Sequence, residues 1–282
     1  MQRDRIGKEM KQKSMNGVPS IPGMTLTRCC GRGSVGEVWL GFDRWGRRRA
    51  VRLVSKRNDP DLLALERRGT ALYCRGSVDH VHLLKIFHLG ETPEYFFSVM
   101  EPADNFHRAG DIYEPDTLGR RLRCRKSGSV PVFRCLDAIL KGMAGLHARD
   151  LSHGDLHPDN ILFVDRRLKI ADPGLVCRSD SVPRGGTAGF RPPWRATGSE
   201  CDLYAFGKLI YLLCTGASPQ RFPEIPEGCD LPAYFPLNEI ALRCCERDPR
   251  RRFTNAGQVR RALNSVRRSV RSPGQDFCCR AE

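Results

Sequence analysis

The order of apolar and polar positions divides the chain into a β-type first third and a mainly helical remainder. The first third contains short runs rich in strand-forming residues, separated by turns that contain glycine. Asp59 and Pro60 interrupt these runs with the residue types of a helix N-cap and a first helical position, and apolar residues follow them at helical spacing. The predicted strands are residues 25–30, 38–42, 49–54, 85–89 and 95–100.

Beyond residue 104 the pattern has a helical period. Apolar residues recur at intervals of three and four from Val132 to Leu146, which predicts an amphipathic helix. Residues 202–215 are apolar nearly all round, as in a buried helix, and Gly216 stands where a C-terminal glycine cap belongs. The remaining predicted elements are a hairpin of residues 161–164 and 168–171 and a last helix of residues 258–266.

These elements predict an α+β protein with two lobes. The predicted small β-rich N-lobe covers residues 24–101, and the larger helical C-lobe covers residues 102–266. A basic flexible arm, residues 1–23, and a basic C-terminal tail, residues 267–282, flank them. A cleft between two lobes is a common place for a ligand, so we expect the functional site there.

Charge and cysteine usage narrow the class of protein. The formal net charge of +15 weakly favours acidic substrates. The basic residues are scattered and not gathered with aromatics into one stripe, so nucleic-acid binding is not expected. The thirteen cysteines include no paired CxxC motifs, which argues against zinc, and they favour a reducing compartment.

The apolar stretches predict a cytoplasmic protein without a transmembrane segment. The first twenty residues lack the apolar run of a signal peptide. The longest apolar stretch, residues 203–217, is interrupted by Lys208 and is too short to span a bilayer. The oligomeric state is left open by the sequence.

A glycine-rich turn lies between the first two predicted strands. Gly31, Gly33 and Gly36 have the spacing GxGxxG, and Val38 follows. Glycines allow the backbone to approach phosphates closely. A strand follows this turn, whereas the dinucleotide-binding version requires a helix, and Val38 fits the version found in kinases.

A second motif lies just before the predicted hairpin, and a third lies just after it. Asp155 precedes Asn160 by five residues in the stretch His-Gly-Asp-Leu-His-Pro-Asp-Asn. A carboxylate at this place can accept the proton of an attacking hydroxyl, and the amide can hold a metal ion. Asp172, in the stretch Asp-Pro-Gly, would supply the hard oxygen ligand that Mg²⁺ prefers.

With these motifs in this order, the chain from about Met24 to about Leu263 resembles the eukaryotic-like serine/threonine protein kinases. Its motifs resemble those of a divergent member of this family. The sequence leaves open whether the source is bacterial. The resemblance implies ATP and Mg²⁺ as cofactors and a protein substrate that the sequence does not identify. It also implies that a nucleotide lies against Gly31, Gly33, Gly36, Val38, Ala50, Arg52, Glu66 and Glu101.

Three further stretches match the family pattern. Residues 186–193 resemble the end of an activation segment, in which the resemblance implies that Thr187 touches the catalytic aspartate. Residues 202–207 match the start of the large buried helix of the family. Arg252, after Asp-Pro, matches the arginine that the family places late in the domain.

Several positions depart from the family pattern. Arg52 stands where the family has a phosphate-holding lysine, Gly154 replaces the arginine before the catalytic aspartate, and His157 replaces a lysine near the transferred phosphate. An arginine keeps the charge but has a different shape, and a histidine is mostly neutral near pH 7. We include Arg52 and His157 with Asp155 and Asn160 among the candidate catalytic residues.

Two more departures affect the supporting structure. Pro173 replaces the phenylalanine of the metal motif, and Trp194 replaces a glutamate that the family pairs with its late arginine. Glu200 could take over the ion pair with Arg252, or packing could cover its loss.

Three functions therefore stay open at the level of the sequence. The first is a serine/threonine protein kinase of reduced activity, which the intact Asp155, Asn160 and Asp172 favour. The second is a pseudokinase that binds nucleotide as a regulatory or scaffold module. The third is a small-molecule phosphotransferase, which the His-Gly-Asp-Leu-His-Pro stretch also resembles.

Overall fold

The structure is a computed structural model that describes residues 17–33, 35–76, 80–107, 112–124, 131–227 and 231–269. The strands are β1 Met24–Arg32, β2 Gly36–Asp43, β3 Arg48–Ser55, β4 Ile86–Glu91, β5 Tyr95–Met100, β6 Leu151–Ser152, β7 Ile161–Val164, β8 Arg167–Ile170 and β9 Cys177–Arg178. The helices are α1 Pro60–Gly76, α2 Leu118–Arg123, α3 Val132–His147, α4 Gly198–Thr215, α5 Leu231–Cys245 and α6 Ala256–Ser269. No helix in these described ranges is long and apolar enough to cross a membrane.

The chain forms two compact units. The first consists of residues 1–64 and 85–115, and the second of residues 65–84 and 116–282. The first unit contains a β-sheet and the second is mainly helical, so the α+β class predicted from the sequence is confirmed. Contacts group residues 102–115 with the sheet, whereas the sequence-based boundary stands at residue 101.

The first unit is built on an antiparallel sheet of five strands in the order β1-β2-β3-β5-β4. Side chains that alternate along β3 and β5 form one face of its core, because successive residues of a strand point to opposite faces. Ile21 packs against this core and is only 4% exposed, and the Met24 amide donates to its carbonyl oxygen. Ile21 therefore belongs to the packed unit, and its assignment to a flexible arm is corrected.

Helix α1 begins as its sequence predicts. The Asp59 carboxylate accepts hydrogen bonds from the amides of Asp61 and Leu62 at 2.9 and 3.1 Å, which is N-cap geometry. Leu63 then packs against Val54 and Phe96 in the first unit. The residues of α1 from Leu65 onward belong to the second unit.

The core of the second unit lies around α3 and α4. The apolar face predicted for α3 is buried, with Leu136, Ile139 and Leu140 excluded from solvent. Helix α4 is buried nearly all round and ends at Gly216, whose φ of 67° is the left-handed conformation of a glycine C-cap. Both predicted helices are present, and α4 begins at Gly198, before the predicted start at residue 202.

The ion pair between Glu200 and Arg252 settles one question left by the sequence. Glu200 lies in the first turn of α4, where its carboxylate contacts the guanidinium group of Arg252 and also accepts from the Thr197 amide at 2.8 Å. Trp194 lies near this pair, with its ring centroid 5.9 Å from the Arg252 guanidinium. The pair is therefore preserved with Glu200 as its acidic member.

Candidate functional site

The side chain of Asp202 on α4 holds the loop between β6 and β7. The side chain of Asp202 is 1% exposed, and it accepts from the amides of His153 and Gly154 at 2.8 and 2.9 Å. The Nε2 atom of His147 lies 2.9 Å from the same carboxylate. Two buried backbone donors thereby find an acceptor, which fixes the path of the loop just before Asp155.

His153 connects this loop to the segment after β8. Its Nε2 lies 2.7 Å from the carbonyl oxygen of Ala171, so Nε2 carries the proton and donates it. Its Nδ1 accepts from the Asp155 amide at 3.3 Å, which makes the ring the neutral Nε2–H tautomer. Ala171 precedes Asp172, so the two candidate segments are tied together by one buried side chain.

Asp155 is oriented through one of its carboxylate oxygens. Its Oδ1 accepts from both the amide and the hydroxyl of Thr187, each at 2.8 Å. The contact that the family resemblance implied for Thr187 is therefore present. The second oxygen, Oδ2, is left facing weaker contacts, with Asn160 Nδ2 at 3.5 Å and His157 Nε2 at 3.6 Å.

Asn160 is fixed in a short 3₁₀ turn, residues 158–160, directly before β7. Its Nδ2 donates to the carbonyl oxygen of Asp155 at 2.9 Å, and its backbone carbonyl accepts from Ala171 at 2.8 Å. Because Nδ2 is used as a donor, the amide oxygen Oδ1 is the atom left to serve as a metal ligand.

Asp172 lies at the start of a second 3₁₀ turn, residues 173–175, in the left-handed conformation with φ of 59°. A non-glycine residue rarely adopts this conformation, and its surroundings must hold it there. The turn packs against α1, where a Cβ atom on Gly174 would meet the carboxylate of Glu66. Glu66 itself is 5% exposed, and Gly69 of the same helix packs on the Gly174 carbonyl.

The donor set formed by Asn160 and Asp172 fits a hard cation. It offers one amide oxygen and one carboxylate, which suits an ion that takes its other ligands from phosphates and water. Within the described ranges no group of three or more His, Cys, Asp or Glu side chains forms a metal cage.

His157 lies beside Asp155 and is uncharged at neutral pH. Burial lowers its pKa, and this effect outweighs the nearby carboxylates of Asp155, Asp159 and Asp172, which raise it. Its ring also lies 6.3 Å from that of Phe190, between centroids. His157 therefore adds a polar neutral group here, where a lysine would add a positive charge.

The glycine-rich turn of the first unit joins β1 to β2. The Gly33 amide donates to the Gly36 carbonyl at 2.8 Å, which closes the turn, and Val38 pairs with Gly31 across the hairpin. A Cβ atom on Gly36 would collide with the carbonyl oxygen of Leu53, so glycine is required there for close strand packing.

The remaining candidates of the first unit lie on β3 and just after β5. Ala50 is 7% exposed, and Arg52 is paired in register with Val38 on β2. The Glu101 carboxylate accepts from the Lys85 amide at 2.8 Å, which closes the end of the sheet. Arg52 and Glu66 belong to different units.

Comparison with known proteins decides the family. The sequence pattern described as "protein kinase domain" matches residues 24–227. The chain belongs to the protein kinase domain family. This family uses ATP together with a divalent metal ion.

Both eukaryotic and bacterial kinases are similar to this protein kinase domain. Calcium-dependent protein kinase 4 of Plasmodium berghei is 27% identical over 244 residues, which cover 76% of this chain and 44% of that protein. The serine/threonine-protein kinase PknG of Mycolicibacterium smegmatis is 26% identical over 253 residues, 86% of this chain and 32% of that protein. Serine/threonine-protein kinase Pkn1 of Myxococcus xanthus is 26% identical over 269 residues, which cover 84% of this chain and 37% of that protein. The chain thus spans less than half the length of these relatives.

The glycine before Asp155 of this kinase domain has a steric reason. Gly154 has a φ of 80°, and a Cβ atom there would lie 2.6 Å from the carbonyl oxygen of Leu175. The Leu175 carbonyl therefore occupies the space that a side chain at residue 154 would need.

We expect the Gly154→Arg variant to lose stability rather than to regain the family's arginine. The left-handed conformation costs a side chain about 1–2 kcal/mol, and the contact with Leu175 adds to it. The free energy of unfolding, measured in urea, should fall by about 2–4 kcal/mol. Gly46→Ala is the matched control, because Gly46 has a φ of 73° with no atom near its Cβ direction. An equal loss in both variants would contradict the steric argument.

Two supporting residues of the kinase domain were missed by sequence reasoning. The carboxylate of Asp159 is held by Arg123 of α2 at 2.8 and 3.1 Å, and α2 approaches so closely that Gly119 has no room for a Cβ atom. The bonds of Asp202 to the catalytic loop were also not foreseen. Both join residues dozens of positions apart, so no local pattern signals them.

Proposed function

We propose that this protein kinase domain transfers the γ-phosphate of ATP, with Mg²⁺, to serine or threonine hydroxyls of a protein substrate. The observation that carries the proposal is the orientation of Asp155. Its Oδ1 accepts two hydrogen bonds from Thr187, whereas its Oδ2 remains available. The Asp155 side chain is 19% exposed. That oxygen can accept a proton from an incoming hydroxyl.

The other residues of the second unit support the same reaction. Asn160 Oδ1 and the Asp172 carboxylate would hold Mg²⁺, which neutralises charge on the phosphates when it is bound. Thr187 keeps the Asp155 carboxylate from rotating, and Asp202 and His153 hold the loop that carries it. The chain's contribution is positioning and a base, as phosphoryl transfer requires.

The residues of the first unit are assigned to the nucleotide on the family resemblance. Gly31, Gly33 and Gly36 would let the backbone approach the phosphates, and Val38 and Ala50 would contact the base. Arg52 would supply positive charge.

The cysteines of the described ranges are free thiols, and we infer from them a reducing, cytoplasmic location.

The proposal is tested by incubating the protein with labelled ATP, Mg²⁺ and generic acidic and basic protein substrates. Label on serine or threonine, absent with Asp155→Asn, is the expected result. Nucleotide binding without any transfer would identify a pseudokinase instead. Release of phosphate to a small molecule, with no phosphoprotein, would identify a small-molecule phosphotransferase.

We expect Asp172→Ala to remove the Mg²⁺-dependent part of ATP affinity. The variant loses a carboxylate ligand that an amide oxygen alone does not replace. Thermal shift with ATP should then be the same with and without Mg²⁺, whereas the wild-type protein should gain stability only when both are present. Asp180→Ala, which removes an exposed carboxylate eight residues on, is the control. A wild-type Mg²⁺ response in Asp172→Ala would remove this residue from the site.

We expect Arg52→Lys to raise the rate of transfer about tenfold, since lysine is a compact charge where arginine is a planar fork. Initial rates at saturating ATP measure the effect. Arg49→Lys, three residues before Arg52 on β3, controls for the general effect of the exchange. A loss of activity in Arg52→Lys alone would mean that this site is built around arginine.

A further inference from the structure

The segment that leads away from the catalytic base carries positive charge only. Residues 181–199 contain Arg184, Arg191 and Arg195 and no aspartate or glutamate. All three arginines are exposed. The segment also contains Thr187, so its charge lies next to the site that must receive the substrate hydroxyl.

These three guanidinium groups differ from those of the exposed arginines that form ion pairs. Arg47, Arg178 and Arg221 each reach a carboxylate at 3.1 Å or less. Across the ranges that the structure describes, neither a hydrogen bond nor an ion pair joins Arg184, Arg191 or Arg195 to a carboxylate. Their positive charge is therefore available to a molecule that binds from outside.

Arg191 packs against the backbone that leads to Thr187 and Asp155. Its aliphatic stem packs on Gly186, where a Cβ atom would lie 2.7 Å from Arg191 Cδ and 3.3 Å from the carbonyl oxygen of Gly154. Gly186 is followed by Thr187, which binds Asp155, and Gly154 precedes Asp155. The Arg191 stem therefore lies beside Gly186, one residue before Thr187, and Gly186 in turn lies beside the carbonyl of Gly154, one residue before Asp155.

Several carboxylates of the loop that carries Asp155 and of the start of α4 are already engaged. Asp159 is bound by Arg123, Glu200 by Arg252, and Asp202 by the buried amides of the catalytic loop. Asp155 accepts two bonds from Thr187 and must keep its other oxygen for the substrate hydroxyl. Asp180, which directly precedes the segment, is exposed, but across the described residues no ion pair joins it or any other carboxylate to Arg191.

We propose that Arg191 binds an anionic side chain of the protein substrate, within about three residues of the hydroxyl that is phosphorylated. This inference rests on the proposed kinase function and names its substrate class: serines or threonines in acidic sequence. The anion is a carboxylate of Asp or Glu or a phosphate already on the substrate, since a guanidinium group binds both through paired hydrogen bonds. Arg184 and Arg195 add to the positive field that attracts such a peptide.

The test uses short peptides with one central serine in an alanine and glycine background. A single aspartate, phosphoserine or lysine is placed in turn at each of the three positions on either side. With the wild-type protein, kcat/KM should be highest for aspartate or phosphoserine at one position and lowest for lysine there. The aspartate and phosphoserine arms distinguish a plain acidic substrate from one that is phosphorylated beforehand.

Variants then assign the preference to Arg191. For the best acidic peptide, Arg191→Ala should raise KM about five- to tenfold with kcat nearly unchanged, the size of one charge-assisted contact at a partly exposed site. Arg191→Lys should retain most of the preference, and Arg191→Glu should move it towards the lysine peptide. Arg260→Ala, which removes an exposed arginine from α6, should leave the profile as in the wild type.

Each outcome separates this inference from the kinase function. Transfer without an acidic preference, or a preference that survives Arg191→Ala and Arg191→Glu, overturns the role of Arg191 and keeps the kinase. If no peptide is phosphorylated, the kinase function fails. Fluorescence anisotropy of the same peptides, carrying a fluorescent label, then tests whether Arg191 binds an anionic side chain. Tighter binding of the acidic peptide that Arg191→Glu abolishes would support an acidic-peptide site, and equal binding of all peptides would overturn it.

Discussion

Replacing Asp155 with asparagine should lower kcat for protein phosphorylation by about 10²–10⁴, the usual contribution of a positioned general base. The exchange keeps the shape of the side chain. Its Oδ1 can still accept the two bonds from Thr187, whereas an amide nitrogen in place of Oδ2 cannot take a proton. The loss should therefore fall on kcat, with the affinity for ATP and the unfolding temperature close to those of the wild type.

Thr187→Ala is the informative companion to this variant. It removes the hydroxyl that binds Asp155 Oδ1 but keeps the backbone amide bond at 2.8 Å and the carboxylate itself. We expect a smaller fall in kcat, about tenfold, because the base is present but less firmly oriented. Initial rates at saturating ATP and substrate measure both variants. Asp155→Asn activity within tenfold of the wild type would show that Asp155 is not the base.

The elements that could be predicted from the sequence are those with a regular apolar period. The five strands of the first unit and helices α3 and α4 have such periods, and Asp59 and Gly216 mark helix ends by local chemistry. Helix α5 was missed because Pro236 lies inside it, and a proline normally ends a helix. Helix α2 has only six residues, too few for a period to be recognised.

The residues of the candidate site also divide into those that the sequence indicates and those that it does not. Asp155, Asn160 and Asp172 could be named as candidates from the sequence, because the chemistry proposed for them depends on their own residue types at short spacing. The groups that hold them could not. Asp202 reaches the catalytic loop across 48 residues of sequence, and Gly154 is explained only by the position of the Leu175 carbonyl. The pairing of Glu200 with Arg252 could be anticipated because Trp194 had removed the family's usual partner.

Asp202→Ala should have the largest effect on stability of any single exchange at the site. The carboxylate is 1% exposed and is the acceptor for the buried amides of His153 and Gly154. Each buried donor left without an acceptor costs about 1–3 kcal/mol, so the free energy of unfolding should fall by about 3–5 kcal/mol. A domain of ordinary stability, about 5–15 kcal/mol, would then be partly unfolded or close to it.

The Asp202→Asn variant separates the hydrogen bonds from the packing. Its amide oxygen can still serve His153 and His147, but the amide nitrogen then faces the Gly154 donor in place of an acceptor. We expect a loss between those of Asp202→Ala and the exposed control Asp180→Ala, which should stay within about 0.5 kcal/mol of the wild type. Urea unfolding followed by tryptophan fluorescence measures all three. Because Gly154 directly precedes Asp155, Asp202→Asn should also lower kcat at temperatures where the variant is fully folded, and a folded variant with wild-type kcat would mean that the loop keeps its shape without this bond.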